Sequence, residues 1–284
     1  LASAFAALAG SLDALQTSIK SGIESAISSL NIETQGLANI QATLISAGGS
    51  GNAANSLLDQ RDKSISSIAE FVGLSADYQN RGDATLSLGS TGSGPILVES
   101  KNAAALSASF EEGKATIYAG GGGSMRPTKQ ITSGIIAGLV SAYEAISKTT
   151  RDLDGLAKTV MGDLNEVHTS GLTLNGLRGG EMFSLDAIDV NPATSNLGSI
   201  TTSISAPAGV VSDATLALTY DRANNIWNAA KPDGAIVASG TSSIEFQGVT
   251  LAIRGSAADG DEISWSMSQG KAANMKFLLT KAEE

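Results

Sequence analysis

A run of four glycines is the first stretch whose residue types could bind a ligand. Gly120 to Gly123 is followed by Ser124 and, after Pro127, by Lys129. Glycine-rich loops bring backbone N–H groups close to a phosphate, and a lysine can then neutralise its charge. The spacing does not fit, because the chain has no Gly-Lys-Ser/Thr here and Pro127 interrupts the approach to the next helix. The stretch is therefore predicted to be a flexible connector.

Side chains that could transfer protons are few. His168 is the single histidine, and its position at the end of a predicted helix suits a cationic cap that interacts with the helix dipole. No serine or cysteine partner for it can be argued from the sequence, so catalysis is not predicted. Three aspartates on the same helix are interpreted as a solvated face: Asp152, Asp154 and Asp163.

One acidic stretch could hold a metal ion. Asp259, Gly260, Asp261 and Glu262 place oxygen ligands close together, as calcium prefers, but the stretch lacks the length and spacing of an EF-hand loop. Asp and Gly also serve turns without any ligand. A polar hairpin turn is the favoured interpretation, with an ion site as the alternative, and the sequence predicts no metal and no cofactor.

The composition excludes several classes of protein. The 284 residues are 42% apolar, and 18 Lys and Arg stand against 28 Asp and Glu, for a net charge of −10. An acidic chain lacks the basic surface that nucleic acid requires, so no nucleic-acid partner is predicted. The absence of cysteine removes disulfides and thiolate sites. Neither a membrane span nor a cleavable signal is visible, so no membrane partner is predicted.

Three helical patterns must position these residues. A heptad seam runs through Leu1, Phe5, Leu8, Leu12, Leu15 and Ile19. It continues, after a four-residue stutter, through Ile23, Ile27, Leu30, Thr34, Leu37, Gln41 and Leu44 to about Ser46. Ser56 is predicted to cap a short helix over Asn55–Gly73, with Gly73 as its left-handed last residue. The third pattern runs from about Thr128 to His168, with a seam that includes Ile131, Ile135, Leu139, Leu153, Leu156, Leu164 and Val167.

The rest of the chain has strand periodicity. Short strands are predicted over Leu74–Gln79, Ala84–Leu88 and Ile96–Glu99, and a hairpin joins Ala105–Phe110 to Ala115–Tyr118. After Gly171 the pattern predicts an antiparallel β sandwich or barrel. Its predicted edge strands are Ala187–Val190 and Ser199–Ile204, and Ala214–Tyr220 is predicted to pair with Ile226–Ala229. A further strand runs from Ile244 to Ile253 with a bulge at Gly248. Trp227 and Trp265 are predicted to anchor the core.

These patterns predict an α+β multidomain fold. A long antiparallel helical bundle forms the inner domain (residues 1–72 and 126–170) and carries a small β appendage (residues 73–125). Residues 171–284 form an outer β domain. The turn Ala47–Asn52 is predicted to let the second helix fold back on the first.

An ordered set of segments resembles the flagellar hook-associated protein 1 family. The first is Leu57, Leu58, Asp59, Gln60, Arg61 and Asp62, followed by Asp163–His168, Asn175 and Gly176 and then Phe183. Later segments agree in order: Leu218–Asp221, Trp227, Phe246–Val249, Gly260–Asp261 and Ala273–Met275. The resemblance covers essentially the whole chain, which is expected to be a core fragment without the family's paired terminal helices.

The resemblance implies a structural, non-enzymatic subunit that joins hook to filament in the bacterial flagellum. Its implied partners are further copies of itself, the hook protein, the next hook–filament junction protein and an export chaperone. The implied location is extracellular, reached through the flagellar export apparatus without a cleavable signal. The alternatives are flagellin or another hook-associated axial protein and, from a different class, a secreted carbohydrate-binding or hydrolytic β module.

Overall fold

The computed structural model describes residues 1–46, 52–121, 123–206 and 213–279. Over these residues the protein has the predicted α+β fold, with α-helices and antiparallel pairing in every strand ladder. The chain divides into two compact units. The helical unit is Ser11–Arg151, and the sandwich unit comprises Leu1–Gly10 and Asp152–Glu284.

The helices are α1 (Ala2–Ser46), α2 (Asn52–Phe71) and α3 (Gly134–Ser170). The predicted extent of α1 is confirmed, and every residue of its second predicted seam is buried. Within the helical unit, α1 and α3 run in opposite directions, because Gln16 bonds to Ser147 whereas Gly22 lies beside Leu139. The predicted turn between α1 and α2 lies outside the described residues, except for Asn52, which already belongs to α2.

The first seam of α1 is only partly buried, because Phe5, Leu12 and Ile19 are half-buried and the other three residues are exposed. Leu1, Leu8 and Leu15 are each about half exposed, at 58%, 51% and 47%. Heptad spacing indicates that a helix has an apolar stripe, but not that the same chain covers it. No described element covers these three side chains fully.

Both predicted ends of α2 are wrong. The helix begins at Asn52 rather than at Ser56, because Ala53 and Ala54 are strong helix formers that extend it. Gly73 does not adopt a left-handed conformation. Its surroundings are close-packed instead, since a Cβ at this position would overlap the Oγ of Ser133.

The predicted start and seam of α3 also need correction. The helix begins at Gly134, whose φ of +88° starts it after the loop that follows Pro127. Ile135, Leu156, Leu164 and Val167 are exposed, at 47%, 54%, 36% and 72%. Leu153 is buried, as predicted. The other buried residues of α3 were not on the predicted seam: Ile136, Tyr143, Ser147, Ala157 and Asn165. Apolar periodicity missed several of them because they are polar or small.

Two small sheets complete the helical unit. The first contains β1 (Leu74–Tyr78), β2 (Ala84–Leu88), β3 (Ile96–Glu99) and β4 (Asn102–Ala103) in sequence order. The second contains β5 (Ala105–Glu111), β6 (Lys114–Gly121) and β7 (Ser124–Pro127). The predicted strands and the hairpin of β5 and β6 are confirmed. Their apolar residues share one core with α1, α2 and α3.

The glycine run is part of a sheet. Gly120 and Gly121 belong to β6 and pair with Met125 and Ser124 of β7. The predicted flexible connector is therefore wrong for these two glycines, while Gly122 lies outside the described residues. Glycine suits the close approach of the strands, because a Cβ on Gly120 would overlap the carbonyl of Ser124.

The sandwich unit contains the remaining strands. They are β8 (Phe183–Ser184), β9 (Ala187–Pro192), β10 (Ser199–Ser205), β11 (Ala214–Asp221), β12 (Ile226–Ala230), β13 (Ile236–Gly240), β14 (Ser243–Phe246), β15 (Val249–Ser256), β16 (Glu262–Ser268) and β17 (Lys276–Phe277). The sheets have the orders β13-β12-β11-β16-β9, β10-β15-β14 and β17-β8. The predicted edge strands β9 and β10 and the pairing of β11 with β12 are confirmed.

A shared core joins the five-stranded and three-stranded sheets. Trp227 and Trp265 are 2% and 0% exposed within it, so both predicted anchors are confirmed. The predicted bulge at Gly248 is wrong. Gln247 and Gly248 have φ values of +50° and +79° and form a two-residue turn, so β14 and β15 are two antiparallel strands.

Candidate functional site

The residues considered for phosphate binding do not meet at a helix N-terminus. Ser124 is part of β7, Lys129 is exposed in the loop that follows, and α3 begins only at Gly134. The arrangement that would cradle a phosphate is therefore not formed by these residues.

His168 and Asp154 hold loops onto α3. His168 lies in the last turn, where its Nδ1 is 2.7 Å from the carbonyl oxygen of Gly180. Asp154, predicted to lie on a solvated face, instead accepts a hydrogen bond from the N–H of Ala272 at 2.7 Å. Ala272 begins the 3₁₀ helix Ala272–Asn274, so Asp154 satisfies an N–H at a helix start.

The acidic turn is held together by Asp261. This residue is 3% exposed, and its carboxylate accepts the N–H groups of Ala258, Leu197 and Gly198 at 2.8, 2.9 and 3.1 Å. The bond from Ala258, outweighing desolvation and aided by the other two, lowers the pKa of Asp261. Its lone pairs are thus directed to the backbone. In the part of the chain that the structure describes, no three acidic or histidine side chains gather as metal ligands.

Arg61 lies in the segment Leu57–Asp62 of α2, which carries part of the family resemblance, and it joins this segment to the β1–β2 turn. It is buried, and its Nη1 donates to the carbonyl of Gly82. Its guanidinium lies 4.8 Å from the ring centre of Tyr78 and donates twice to Asp62, at 2.9 and 2.7 Å. Leu57 and Leu58 are half-buried, whereas Asp59, Gln60 and Asp62 are exposed. The motif therefore has one face that holds the small sheet and one that faces solvent.

Asn165 plays a similar part in the sandwich unit. Its Nδ2 donates to the carbonyl of Phe183 at 2.9 Å, and its Oδ1 accepts the N–H groups of Met182 and Phe183 at 2.9 and 3.0 Å. Phe183 is buried and packs its ring against Phe277, with centroids 5.3 Å apart. The hydrogen bonds of Asn165 therefore fix the position of Phe183 relative to α3.

Asn175 and Gly176 form the turn between α3 and Phe183. Gly176 has a φ of +75°, and its N–H bonds to the carbonyl of Thr173 at 2.9 Å. Asn175 is exposed at the tip. The motif residues thus lie on different elements: Leu57 to Asp62 on α2, Asn175 and Gly176 on a turn, and Phe183 in β8.

Two further amide side chains clamp strands to α1 in the helical unit. Gln41 donates to the carbonyl of Ala84 at 3.0 Å and accepts its N–H at 3.1 Å. Asn31 makes the same paired contact with Leu106, at 2.9 and 2.8 Å. One signal of this arrangement is visible in the sequence, since Gln41 is a polar residue on an apolar seam. Asn31 carried none.

Exposed apolar side chains are the main feature left for recognition. In the sandwich unit they include Leu1 just before α1, Leu8, Leu156 and Val167 on helices, and Leu172, Leu174 and Leu177 on a turn. The helical unit exposes Leu15, Ile32 and Ile135. No helix within the described ranges combines the length and the hydropathy needed to cross a bilayer. Such surfaces are suited to packing against other protein chains.

Comparison with known proteins gives a consistent match. The family model described as flagellar hook-associated protein FlgK helical domain matches residues 1–183. Flagellar hook-associated protein 1 of Escherichia coli (strain K12) is 26% identical over 257 residues, covering 85% of this chain and 46% of the relative. The protein of that name from Bacillus subtilis (strain 168) is 24% identical over 225 residues, 70% of this chain and 44% of its own length.

A solved structure has the same fold. The flagellar hook junction protein FlgK from Burkholderia pseudomallei aligns with a TM-score of 0.61 at 23% identity, covering 100% of this chain and 53% of that one. The chain therefore spans about half the length of the relatives that it matches.

Proposed function

The chain belongs to the flagellar hook-associated protein FlgK family, and on this premise we propose that it is a structural subunit that joins hook to filament in the bacterial flagellum. The match of the family's helical domain to residues 1–183 carries the proposal. The exposed apolar side chains of α1 and α3 support it, because a subunit that packs among other chains needs such surfaces.

The mechanism resides in surfaces rather than in a reaction centre. The polar side chains that could do chemistry have structural partners: Asp154 holds Ala272, Asp261 holds the turn at Ala258, and His168 contacts Gly180. We expect no catalytic activity. Heterologous contacts between copies generate a ring or a helical array, so one polypeptide can tile an axial structure.

The motif residues act as structural fasteners in this proposal. Leu57, Leu58 and Arg61 set the small sheet on α2, while Asp59, Gln60 and Asp62 lie on the exposed face of the same segment. Asn175, Gly176 and Phe183 set the chain that leaves α3. The proposed inner domain comprises residues 1–72 and 126–170, its β appendage residues 73–125, and the outer domain residues 171–284. Arg61 supports the appendage, because it links α2 to Gly82 and Tyr78.

The proposed partners are further copies of the chain, the hook protein, the next hook–filament junction protein and an export chaperone. We place the protein at the flagellum, outside the cell, after passage through the flagellar export apparatus. The absence of cysteine suits this route, because the chain then has no disulfide that must form again after it has been exported unfolded.

Deletion of the full-length gene tests the proposal. We expect cells that lose motility, keep their hooks and release filament monomers into the medium, and we expect the wild-type gene to restore swimming. A strain that still swims with attached filaments would contradict the proposal. If the chain were flagellin, the released monomers would be missing as well.

The carbohydrate-binding or hydrolytic alternative needs a separate assay. The purified protein is incubated with a glycan array and with a panel of glycosidic and ester substrates. We expect no binding and no turnover. Saturable binding of one glycan, or turnover lost on substitution of Asp259, would favour the alternative.

A further inference from the structure

A short turn of the sandwich unit displays three leucines to solvent. Leu172, Leu174 and Leu177 are 74%, 86% and 68% exposed. The turn is nevertheless ordered, because the N–H of Thr173 donates to the carbonyl of Leu177 at 2.7 Å. Scattered exposed leucines are ordinary, whereas three within six residues of one braced turn concentrate apolar surface in a short segment. Residues 172–177 are termed the leucine knob.

The helical unit carries a matching concave surface. A groove of about 740 Å³ lies between one side of α1 and strand β5. Ile27, Ile32, Leu106 and Ala108 supply its apolar lining. Ile32 remains 69% exposed, so the groove is open on the outside. It is termed the α1–β5 groove.

Both surfaces are held in shape before any contact. Asn31 fastens β5 to α1 through both backbone groups of Leu106, which fixes the width of the groove. Gly176 and Thr173 brace the knob. Preorganised surfaces lose little conformational entropy on association, which favours a specific contact.

The charges at the two surfaces are complementary. Arg178 is the only charged residue in the segment 171–180, which the structure describes throughout. Glu24 is the only charged residue among those lining the groove. An arginine beside the knob and a glutamate at the groove would therefore attract each other and fix one orientation.

We propose that the leucine knob of one copy inserts into the α1–β5 groove of the next copy. A convex apolar surface matched by a pocket elsewhere on the same chain gives a heterologous contact, which repeats from copy to copy. The inference rests on the proposed function, because only an assembled subunit has a next copy beside it, and it names the two surfaces through which the copies meet.

Disulfide cross-linking in cells tests this contact. The described chain has no cysteine, so new thiols are unambiguous once any cysteine elsewhere in the full-length protein is replaced by serine. The full-length gene carries Leu174→Cys together with Ile32→Cys, and swimming cells are treated with a mild oxidant. We expect a ladder of dimers and higher multimers, reversed by reductant, because each copy offers one thiol to each neighbour.

Matched variants give the result its meaning. Leu197→Cys with Ile32→Cys places an equally accessible thiol elsewhere in the sandwich unit, since Leu197 is 89% exposed, and should give no ladder. Each single variant should also remain monomeric. Monomers from the first pair in cells that swim would overturn the contact and leave the proposed function standing. A ladder from both pairs would also overturn it, because it would report crowding rather than this contact.

Discussion

The carboxamide of Asn31 pairs with both backbone groups of Leu106, which lies on strand β5. Nδ2 donates to the carbonyl at 2.9 Å, and Oδ1 accepts the N–H at 2.8 Å. Because β5 is the outer strand of its sheet, this side chain takes the position that another strand would occupy. One helical residue therefore covers part of an open sheet edge and fixes the sheet to α1.

Asn31→Ala should destabilise the helical unit. The substitution leaves two partly buried backbone groups without partners, which costs about 1–3 kcal/mol. Urea unfolding followed by far-UV circular dichroism measures the change. Asn39→Ala is the matched control, because Asn39 is exposed and its side-chain oxygen accepts a hydrogen bond from Gln35, at 3.3 Å, rather than from a strand. Equal stability of the two variants would contradict a role for the clamp.

Arg61→Lys should not behave as a conservative change. Lysine cannot reach Gly82 and Asp62 at the same time, and it loses the planar stacking on Tyr78. We expect a loss of about 1–3 kcal/mol in the free energy of unfolding, because the carbonyl of Gly82 is left without its donor.

Asp62→Asn provides the comparison for Arg61. The side chain of Asp62 is 56% exposed, so the ion pair contributes only about 0.2–1 kcal/mol. The same urea titration, run on both variants, ranks them. If Asp62→Asn were the more damaging change, the ion pair rather than the contact with the β1–β2 turn would be the main role of Arg61.

The sequence predicts best what depends on local periodicity. The buried seam from Ile23 to Leu44 and the alternation around Trp265 were found because burial follows the geometry of helix and strand. The clamps could not be predicted in this way. Asn31 and Leu106 are 75 residues apart, and an asparagine on a helix has no feature that identifies a distant backbone partner.

Glycine was the least predictable residue, because one residue type serves several purposes. Gly73 was expected to end a helix with a left-handed conformation, and Gly248 to form a bulge. In the structure, Gly73 lies so close to Ser133 that a Cβ would overlap its hydroxyl, and Gly248 forms a tight turn with a positive φ. The exposure of Leu1, Leu8 and Leu15 was not predicted for a different reason. An apolar stripe shows that a helix has a surface to cover, but it does not identify which chain covers that surface.

The stability of the sandwich unit should decrease in acid through Asp261. The pKa of this carboxyl is lower in the folded protein than in the unfolded chain, first because of the hydrogen bond from Ala258. Its contribution is therefore complete above the unfolded pKa of about 3.9 and is lost as the pH falls through the lower folded pKa. Asp261→Asn should weaken this dependence.

Tryptophan fluorescence measures this effect selectively, because both tryptophans lie in the core of the sandwich unit. Urea midpoints are recorded at several pH values for the wild type, for Asp261→Asn and for Asp189→Asn, which removes an exposed carboxylate from the same unit. A wild-type protein and an Asp261→Asn variant with parallel pH profiles would show that Asp261 is not the group responsible.

Gly73 and Ser133 offer a test of close packing at the end of α2. The N–H of Gly73 bonds to the carbonyl of Ser133 at 3.2 Å, and a Cβ on Gly73 would overlap Ser133 Oγ while lying 3.6 Å from Ser133 Cβ. Gly73→Ala should therefore force the hydroxyl of Ser133 to move, at a cost of about 0.5–1.5 kcal/mol. Adding Ser133→Ala removes the hydroxyl and should recover most of that loss.

A double-mutant cycle by urea unfolding, with Ser133→Ala alone as the fourth corner, measures the coupling between the two sites. Strictly additive effects would contradict a contact between the side chains at positions 73 and 133.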